Sequence, residues 1–359
     1  MNRSKIVATL FLGFILPLGL YAGDNFIGEV VYIEGAPVVY RGGQAEGMPL
    51  DFGFQLKNLD VISTDDDSMV EISVFSEGGM EGAIVVNAGT EFYLAFDESE
   101  QESAVQLLRG SANFSVHKLP ANHQFKVVTA QAAMGVRGTE FLVDTTAQGD
   151  FLVAVDSGRV EVDNQDEVVM AVPGKAAEYT EEAGLRSFDL APGQAGEYRS
   201  TWRQHRLKAM RANPWAALRH LTGRYRAAKI RFVELNRDLM EHQDIIDQWI
   251  IEDRQGRRAG RATYMRQKAA IAGPLMRIAA HMVIFERLYY RVLEISGLIM
   301  EAMDENSEGY AEISSFNREF QEDAEYLRQR MHMLRYIMRL FAERNDGRLP
   351  FRANPPTRD

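Results

Sequence analysis

Hydrophobic residues alternate with polar or small residues through the first half of the chain. From Phe26 to about Tyr179, runs of four to seven residues repeat this alternation, separated by glycine or by clusters of Asp and Asn. A period of two residues predicts β-strands with one buried face. At least ten such runs occur and helix signals are nearly absent. The pattern therefore predicts an all-β region with a mainly antiparallel or coiled sheet, as in a roll, a short β-solenoid or a sandwich.

A different pattern follows the segment APGQAG at residues 191–196. Apolar residues then recur in alternating steps of three and four, which is the spacing of a coiled-coil seam. Three such seams occupy residues 218–249, 275–303 and 313–341. We therefore predict an antiparallel three-helix coiled-coil bundle, with Pro274 in the first turn of its second helix. Self-association into a homo-oligomer through the same seams is the alternative, since a heptad pattern alone does not fix the number of helices.

The N-terminal residues have the pattern of a secretory signal peptide. Arg3 and Lys5 precede an apolar run over residues 6–20, and small residues occur near Ala22. As a helix this run would span about 22 Å, which is short of the ~30 Å hydrocarbon core of a bilayer. We therefore expect cleavage rather than a retained anchor, and no stable membrane span after cleavage. The mature protein is expected in the periplasm or outside the cell.

Charge separates the same two parts of the chain. Residues 24–198 contain 30 Asp and Glu against 9 Lys and Arg, a net of −21, whereas residues 199–359 contain 21 against 29, a net of +8. An exported chain with a total of −11 is not expected to bind nucleic acid. There is no cysteine, so neither disulfides nor a lipidated cysteine is expected. The predicted organisation is a signal peptide at 1–23, a β domain at 24–190, a linker and basic helix at 191–213, a helical bundle at 214–345 and a disordered tail at 346–359.

The stretch AMGVRGTEFLV at residues 133–143 places Arg137, Gly138 and Thr139 where an apolar strand begins. Gly138 can adopt a positive φ angle, and Thr139 can satisfy a backbone group at a bend. Two interpretations are open for Arg137. It either pairs with a carbonyl or carboxylate of the acidic domain, or binds a carboxylate or phosphate of a ligand. The three residues are therefore candidate binding residues.

The segments around this motif resemble the FecR domain, named for the regulator of ferric-dicitrate transport in bacterial envelopes. The similar segments, in chain order from about residue 26 to 180, are GEVVYIEGAPVVYR, LKNLDVIST, VQLLRGSANFSV, FKVVTAQAAMGVRGTEFLV, VDSGRVEV and VVMAVPGKAAEY. The resemblance implies a non-enzymatic, extracytoplasmic all-β domain used in protein contacts and signalling. Only five residues precede the apolar N-terminal run, too few for a segment that restrains a sigma factor. We therefore expect this chain to contain the domain of the family but not to have the transcriptional role of the regulator.

Two stretches of the second half carry one-sided charge. Residues 254–268, RQGRRAGRATYMRQK, hold six basic residues and no acidic one. This stretch can bind an anionic cell-wall polymer, lipid headgroups or an acidic protein surface, or it can be a solvated loop. Residues 198–211 hold five basic residues and no acidic one, and we expect them to dock on the acidic β domain. The candidate binding residues of the first stretch are Arg254, Arg257, Arg258 and Arg261.

The sequence offers no catalytic set. The seven histidines, His117 and His123 among them, lack metal-ligand spacing, and TDDDS at residues 64–68 lacks the later glutamate of a calcium loop. His242 is expected to pack within the first helical seam. We therefore predict no enzymatic activity, no cofactor and no metal. The predicted function is binding or scaffolding in the envelope through a protein partner or a cell-wall polymer. The alternative is a signalling accessory that relays envelope or transport state through a membrane protein.

Overall fold

The computed structural model describes residues 26–350, except residues 98, 192, 213, 258–259 and 303–308. The predicted signal peptide at residues 1–23 therefore lies outside the described residues. In the described part of the chain, fifteen strands precede five helices, so the strand-rich first region and the helical second region are confirmed. The strands are β1 (Phe26–Glu34), β2 (Val38–Tyr40), β3 (Met48–Pro49), β4 (Gln55–Lys57), β5 (Val61–Ser63), β6 (Met69–Phe75), β7 (Glu81–Val86), β8 (Glu91–Asp97), β9 (Glu102–Lys118), β10 (Gln124–Val128), β11 (Ala133–Thr145), β12 (Phe151–Asp163), β13 (Val168–Ala171), β14 (Lys175–Thr180) and β15 (Gly184–Asp189). The helices are α1 (Ala195–Ala212), α2 (Pro214–Met240), α3 (Gln243–Arg254), α4 (Arg261–Ala302) and α5 (Tyr310–Glu343).

The fifteen strands belong to one sheet, in which the pairing is antiparallel except between β9 and β10. Its longest strand, β9, pairs with two groups of neighbouring strands. The first half of β9 pairs with β8 and β10, and the second half pairs with β7 and β11. Between the halves lies Gly110, which has a φ angle of +84°, and a Cβ there would lie 2.4 Å from Oγ1 of Thr90. Glycine is therefore required where β9 changes its partners.

Alternate residues of the strands fill an apolar core. In β6, Val70 and Ile72 are buried while the residues on either side of them are half-buried. β8 differs, because all but its last residue are buried. Phe92 lines the core of the strand region, whereas Tyr93 and Ala95 line the core that contains the helices. A strand buried on both faces indicates that the helices cover this part of the sheet.

The helices of the second region pack side by side. Successive residues along α4 contact progressively earlier residues of α3 and α2. Gln267 accepts a hydrogen bond from Nε1 of Trp249 at 2.9 Å, and further along the helix Phe285 stacks on Phe232 with ring centroids 4.5 Å apart. α4 is therefore antiparallel to the two helices that precede it.

A regular three-helix coiled coil is not confirmed. The first predicted helix is divided into α2 and α3, because the chain turns at Glu241 and His242, and α1 adds a further helix. The predicted helix start at Pro274 is wrong, since Pro274 lies inside α4. The packing of the fully buried Leu275 beside it helps to offset the roughly 3 kcal/mol that an interior proline costs a helix. Heptad spacing marks the apolar face of a helix, but it does not show that this face also packs against the sheet.

Among the described residues, one helix is long and apolar enough by composition to cross a membrane, and the qualifying segment is Ala262–Leu298 of α4. Three of its charged side chains, however, bond to groups of the strand region. Glu286 contacts Tyr93 of β8, and Arg287 contacts Gln106 of β9. Arg291 donates to backbone carbonyls of the loop after β11. In this structure the segment therefore packs as a core helix against the sheet.

Candidate functional site

Arg137, Gly138 and Thr139 lie in β11 at a β-bulge in its pairing with β12. Gly138 has a φ angle of +58°, in the left-handed region that favours glycine. Thr139 is buried, and its Oγ1 donates a hydrogen bond to the carbonyl of Arg159 at 3.1 Å. On β12, a Cβ at Gly158 would lie 2.3 Å from the carbonyl oxygen of Gly138. The motif therefore sets the close approach of the two strands and the position of Arg159.

The bulge is bordered by two arginines on the outer face of the sheet. Arg137 and Arg159 are directly opposed residues of β11 and β12, and both are exposed. Opposed residues of antiparallel strands share a face, with Cβ atoms about 4.5–5.5 Å apart. Within the described residues, neither guanidinium has an ion pair or a hydrogen bond. Arg137 therefore does not pair with a described carboxylate of its own chain.

Apolar side chains flank this pair on the next strand. Glu161, two residues after Arg159 on the same face of β12, is opposed by Met170 of β13. Met170 is 41% exposed, and Val168 is 60% exposed. On the other side of Glu161 lies Gly135 of β11, and no atom of a described residue lies within 4 Å of the position a Cβ would take there. We call this surface the arginine face, and it consists of Arg137, Arg159, Glu161, Val168 and Met170.

The basic stretch predicted from the sequence lies at the turn between α3 and α4. Arg254 ends α3 and Arg257 lies in the turn, and both are exposed. Arg258 lies outside the described residues, and Arg261 is the first residue of α4. Met265 on the following turn of α4 is 55% exposed. The structure thus places Arg254 and Arg257 at one end of the helices, on different elements from the arginine face.

A buried charged network joins the helices to the sheet, and the sequence pattern did not predict it. Tyr93 of β8 donates a hydrogen bond to Oε1 of Glu286 in α4 at 3.0 Å. Arg335 of α5 pairs with the other oxygen of that carboxylate, and its guanidinium lies 4.6 Å from the centroid of the Tyr93 ring. Beside this group, Tyr290 of α4 donates to Glu91 of β8 at 2.6 Å. All five side chains are buried, so the network fixes α4 and α5 on the sheet.

Burial governs the protonation of this interface. It raises the pKa of the Glu286 carboxyl, and the Arg335 guanidinium opposes that shift by favouring the carboxylate. His332 of α5 is buried against Tyr40 of β2, with ring centroids 4.4 Å apart. Neither ring nitrogen of His332 has a hydrogen-bond partner within the described residues. Burial, with smaller contributions from Arg335 and Arg328, holds the pKa of His332 well below its usual value, so the ring is neutral at physiological pH.

Two sequence signals could have indicated this interface. The segment EFYLAFD of β8 lacks the alternation of the other strands, which is typical of a strand buried on both faces. The second helical seam also carries Glu286 and Arg287 within an otherwise apolar stretch. A buried charge requires a partner. Glu286 finds its partners in β8 and α5, and Arg287 contacts Gln106 of β9.

α1 docks on the sheet through its arginines. Asp144 of β11 is fully buried and accepts hydrogen bonds from Arg199 at 2.5 Å and from Arg203 at 2.7 Å. Arg206, one turn further along α1, lies 3.7 Å from Asp150. The predicted docking of the basic segment on the acidic region is therefore confirmed.

The described residues contain no group of three His, Cys, Asp or Glu side chains placed to hold a metal ion. His123 is buried and shares a hydrogen bond with Oγ of Ser103 at 2.8 Å. His117 is exposed near the end of β9. The two histidines therefore differ in environment as well as in position.

Comparison with known proteins identifies the strand region. Residues 60–161 match the family model described as FecR protein, which confirms the resemblance over β5–β12, including the motif at Arg137. No curated protein matches the chain. Two crystal structures, at 1.65 and 2.50 Å resolution, of a protein titled "putative anti-sigma factor" from Parabacteroides distasonis are similar to part of it. Each match has 24% identity and a TM-score of 0.32, and covers 37% of this chain. The match covers 61% of that protein, which is less than two thirds of its length.

Proposed function

We propose that this chain is a non-enzymatic protein of the bacterial envelope, in which a FecR-like strand region binds a protein partner and the helices hold that region in place. The family match over residues 60–161 supports a signalling-related, regulatory role rather than catalysis. The observation that carries the proposal is the buried contact of Glu286 and Arg335 with Tyr93. This contact ties α4 and α5 to one side of the sheet, while the arginine face stays exposed and available to a partner.

The proposal includes the location and organisation expected from the sequence. Residues 1–23 would direct export to the periplasm or the cell exterior. Residues 24–190 would form the binding domain, and residues 214–345 would position it or bring copies of the chain together. The negative net charge of the chain and the acidic strand region favour a protein or envelope partner over nucleic acid.

The basic turn would supply a second attachment point. Arg254, Arg257, Arg258 and Arg261 would contact an anionic cell-wall polymer, because a cluster of cations concentrates anionic groups near it. The exposure of Arg254 and Arg257 supports this role.

A second candidate is a signalling accessory that relays envelope or transport state through a membrane protein. The family match favours this candidate. The buried network supports a physical route for it, because breaking a buried ion pair costs about 3–5 kcal/mol. A displacement of β8 by a bound partner would therefore be passed to α4 and α5 rather than absorbed between them.

Photo-crosslinking in living cells tests both candidates. A photoreactive amino acid at Val168 on the arginine face reports the neighbours of the strand region, and one at Tyr326 of α5 is the matched helical position, since these side chains are 60% and 51% exposed. We expect a specific adduct with another protein from Val168, and no adduct with another protein from Tyr326. An adduct with an integral membrane protein would support the signalling accessory, and an adduct with another envelope protein would support the scaffold. An adduct from Tyr326 alone would contradict the proposal.

A further inference from the structure

The arginine face carries two like charges at directly opposed positions of neighbouring strands. Arg137 and Arg159 are opposed across β11 and β12, and no described residue neutralises either of them. Opposed like charges destabilise an antiparallel pair. The hydrogen bond from Thr139 to the Arg159 carbonyl nevertheless holds the two strands in this register. The pair is a defined cationic feature within a region whose net charge is −21, from 30 acidic and 9 basic residues.

We infer that the arginine face binds a protein segment that carries carboxylate side chains next to apolar side chains. The inference rests on the proposed function and adds the kind of partner to it. Carboxylates fit because guanidinium groups form bidentate, charge-assisted hydrogen bonds with them. A protein segment fits because arginine, methionine and exposed apolar groups are typical of protein interfaces, and Val168 and Met170 supply the apolar part.

The neighbours of the arginines restrict how such a segment can lie. Glu161 shares the face and would repel a carboxylate, so the acidic residues of the partner are expected over Arg137 and Arg159. The apolar residues of the partner are expected over Val168 and Met170. The open space above Gly135 admits a side chain beside Arg137, and an extended segment presents alternate side chains at a suitable spacing.

Binding of a defined peptide to the full mature chain tests the inference. A fluorescent peptide of alternating glutamate and valine is titrated at low ionic strength and followed by anisotropy. We expect R137Q/R159Q to bind it at least about tenfold more weakly than the wild type, since two charge-assisted contacts are lost. The matched control is K175Q, at an exposed lysine of β14, and it should bind as the wild type does.

Several results of this titration would overturn the inference. The first is equal affinity of R137Q/R159Q and the wild type, or no binding to the wild type up to millimolar peptide. The second is equal affinity for a peptide of alternating glutamine and valine, which would remove the carboxylates from the recognition. The third is competition by inorganic phosphate at the concentration of the peptide, which would indicate a bare oxyanion site.

Thermal unfolding at low salt without peptide tests whether Arg137 and Arg159 repel each other. Loss of the repulsion should raise the melting temperature of R137Q and of R159Q by about 1–3 °C each. The melting temperature of the double variant should be no higher than that of either single variant, because one substitution already removes the repulsion. A lower melting temperature in either single variant would assign that arginine a structural role and overturn the inference. An intact Val168 crosslink in R137Q/R159Q would also overturn it, whereas the proposed envelope function would stand.

Discussion

Tyr93 of β8 donates a hydrogen bond to Glu286 of α4 at 3.0 Å, although 193 positions separate them in the chain. Both side chains are buried, as is Arg335, which pairs with the same carboxylate. A buried carboxylate is tolerated only with such partners, because its desolvation is otherwise costly. The strand region and the helical region are therefore joined by a specific contact as well as by apolar packing.

Glu286→Gln should strongly destabilise the protein. The change leaves the Arg335 guanidinium buried without its counter-ion, and removal of one partner of a buried pair costs about 3–5 kcal/mol. Urea unfolding measures the loss. The matched control is Glu319→Gln, whose carboxylate pairs with Arg226 at the surface and should cost about 0–1 kcal/mol. Equal losses in the two variants would show that the interface is not stabilised by this pair.

His332→Phe should make the protein less sensitive to acid. The folded pKa of His332 is depressed by burial, so its contribution to stability is present above the unfolded pKa of about 6.5. This contribution is lost as the pH falls below that value, by up to about 1.4 kcal/mol per pH unit. Between pH 7.5 and pH 5, the wild type should therefore lose more unfolding free energy than the variant. His117→Gln, at an exposed histidine, is the control for removal of an imidazole, and equal losses in the wild type and in His332→Phe would contradict the prediction.

Gly158→Ala should cost more than Gly174→Ala. Both glycines have a positive φ angle, +79° and +85°, so each alanine carries a similar backbone cost of about 1 kcal/mol. At Gly158 the added Cβ also meets the carbonyl oxygen of Gly138 at 2.3 Å, whereas at Gly174 nothing lies within 4 Å. Denaturant unfolding should show an additional loss of at least about 1 kcal/mol at Gly158. Equal losses would mean that β11 can move away from β12 at the bulge.

Asp144→Asn should loosen α1 from the sheet. The fully buried carboxylate serves both Arg199 and Arg203, and an amide cannot accept from two guanidinium groups with the same strength. Hydrogen exchange of residues 195–212 should accelerate, while the exchange of β6 and β7 should stay at the wild-type rate. Unchanged exchange in α1 would indicate that the apolar contacts of Trp202 suffice to hold the helix.

Reversal of charge at the basic turn should weaken attachment to purified cell wall. R254E/R257E removes two exposed cations, and the binding that remains should depend less on salt. R237E/R318E, at two other exposed arginines, is the matched control, because both double variants lower the net charge by the same amount. Wild-type sedimentation of R254E/R257E with cell wall at low salt would remove the basic turn from the proposed function.

Local patterns predicted the parts of the fold that depend on neighbouring residues. Alternation in a strand such as β6 marks its buried face directly, so a strand-rich first region could be predicted. The seam from 218 to 249 likewise marked buried helical positions, but it did not show the turn at His242. Helix breaks and the course of α4 through Pro274 depend on packing against other elements, which spacing alone does not report.

Local patterns likewise predicted only some residues of the candidate sites. The Arg137, Gly138 and Thr139 motif was recognisable because glycine and threonine have defined backbone roles at a bend. Its neighbour Arg159 was not recognisable from the sequence, because the bulge sets the register between the two strands. The partners of Glu286 were equally hidden, since they belong to β8 and α5.

The sequence by itself determined the succession of a strand-rich region and a helical region, the resemblance of the first to the FecR family and the opposite charges of the two. These properties follow from residue periodicity, motif order and composition, which are local or additive. Only the tertiary structure decided that α4 and α5 cover β8, and that Arg137 and Arg159 share one exposed face. Both arrangements depend on which distant surfaces meet, and that is settled by packing and by strand register rather than by any single segment.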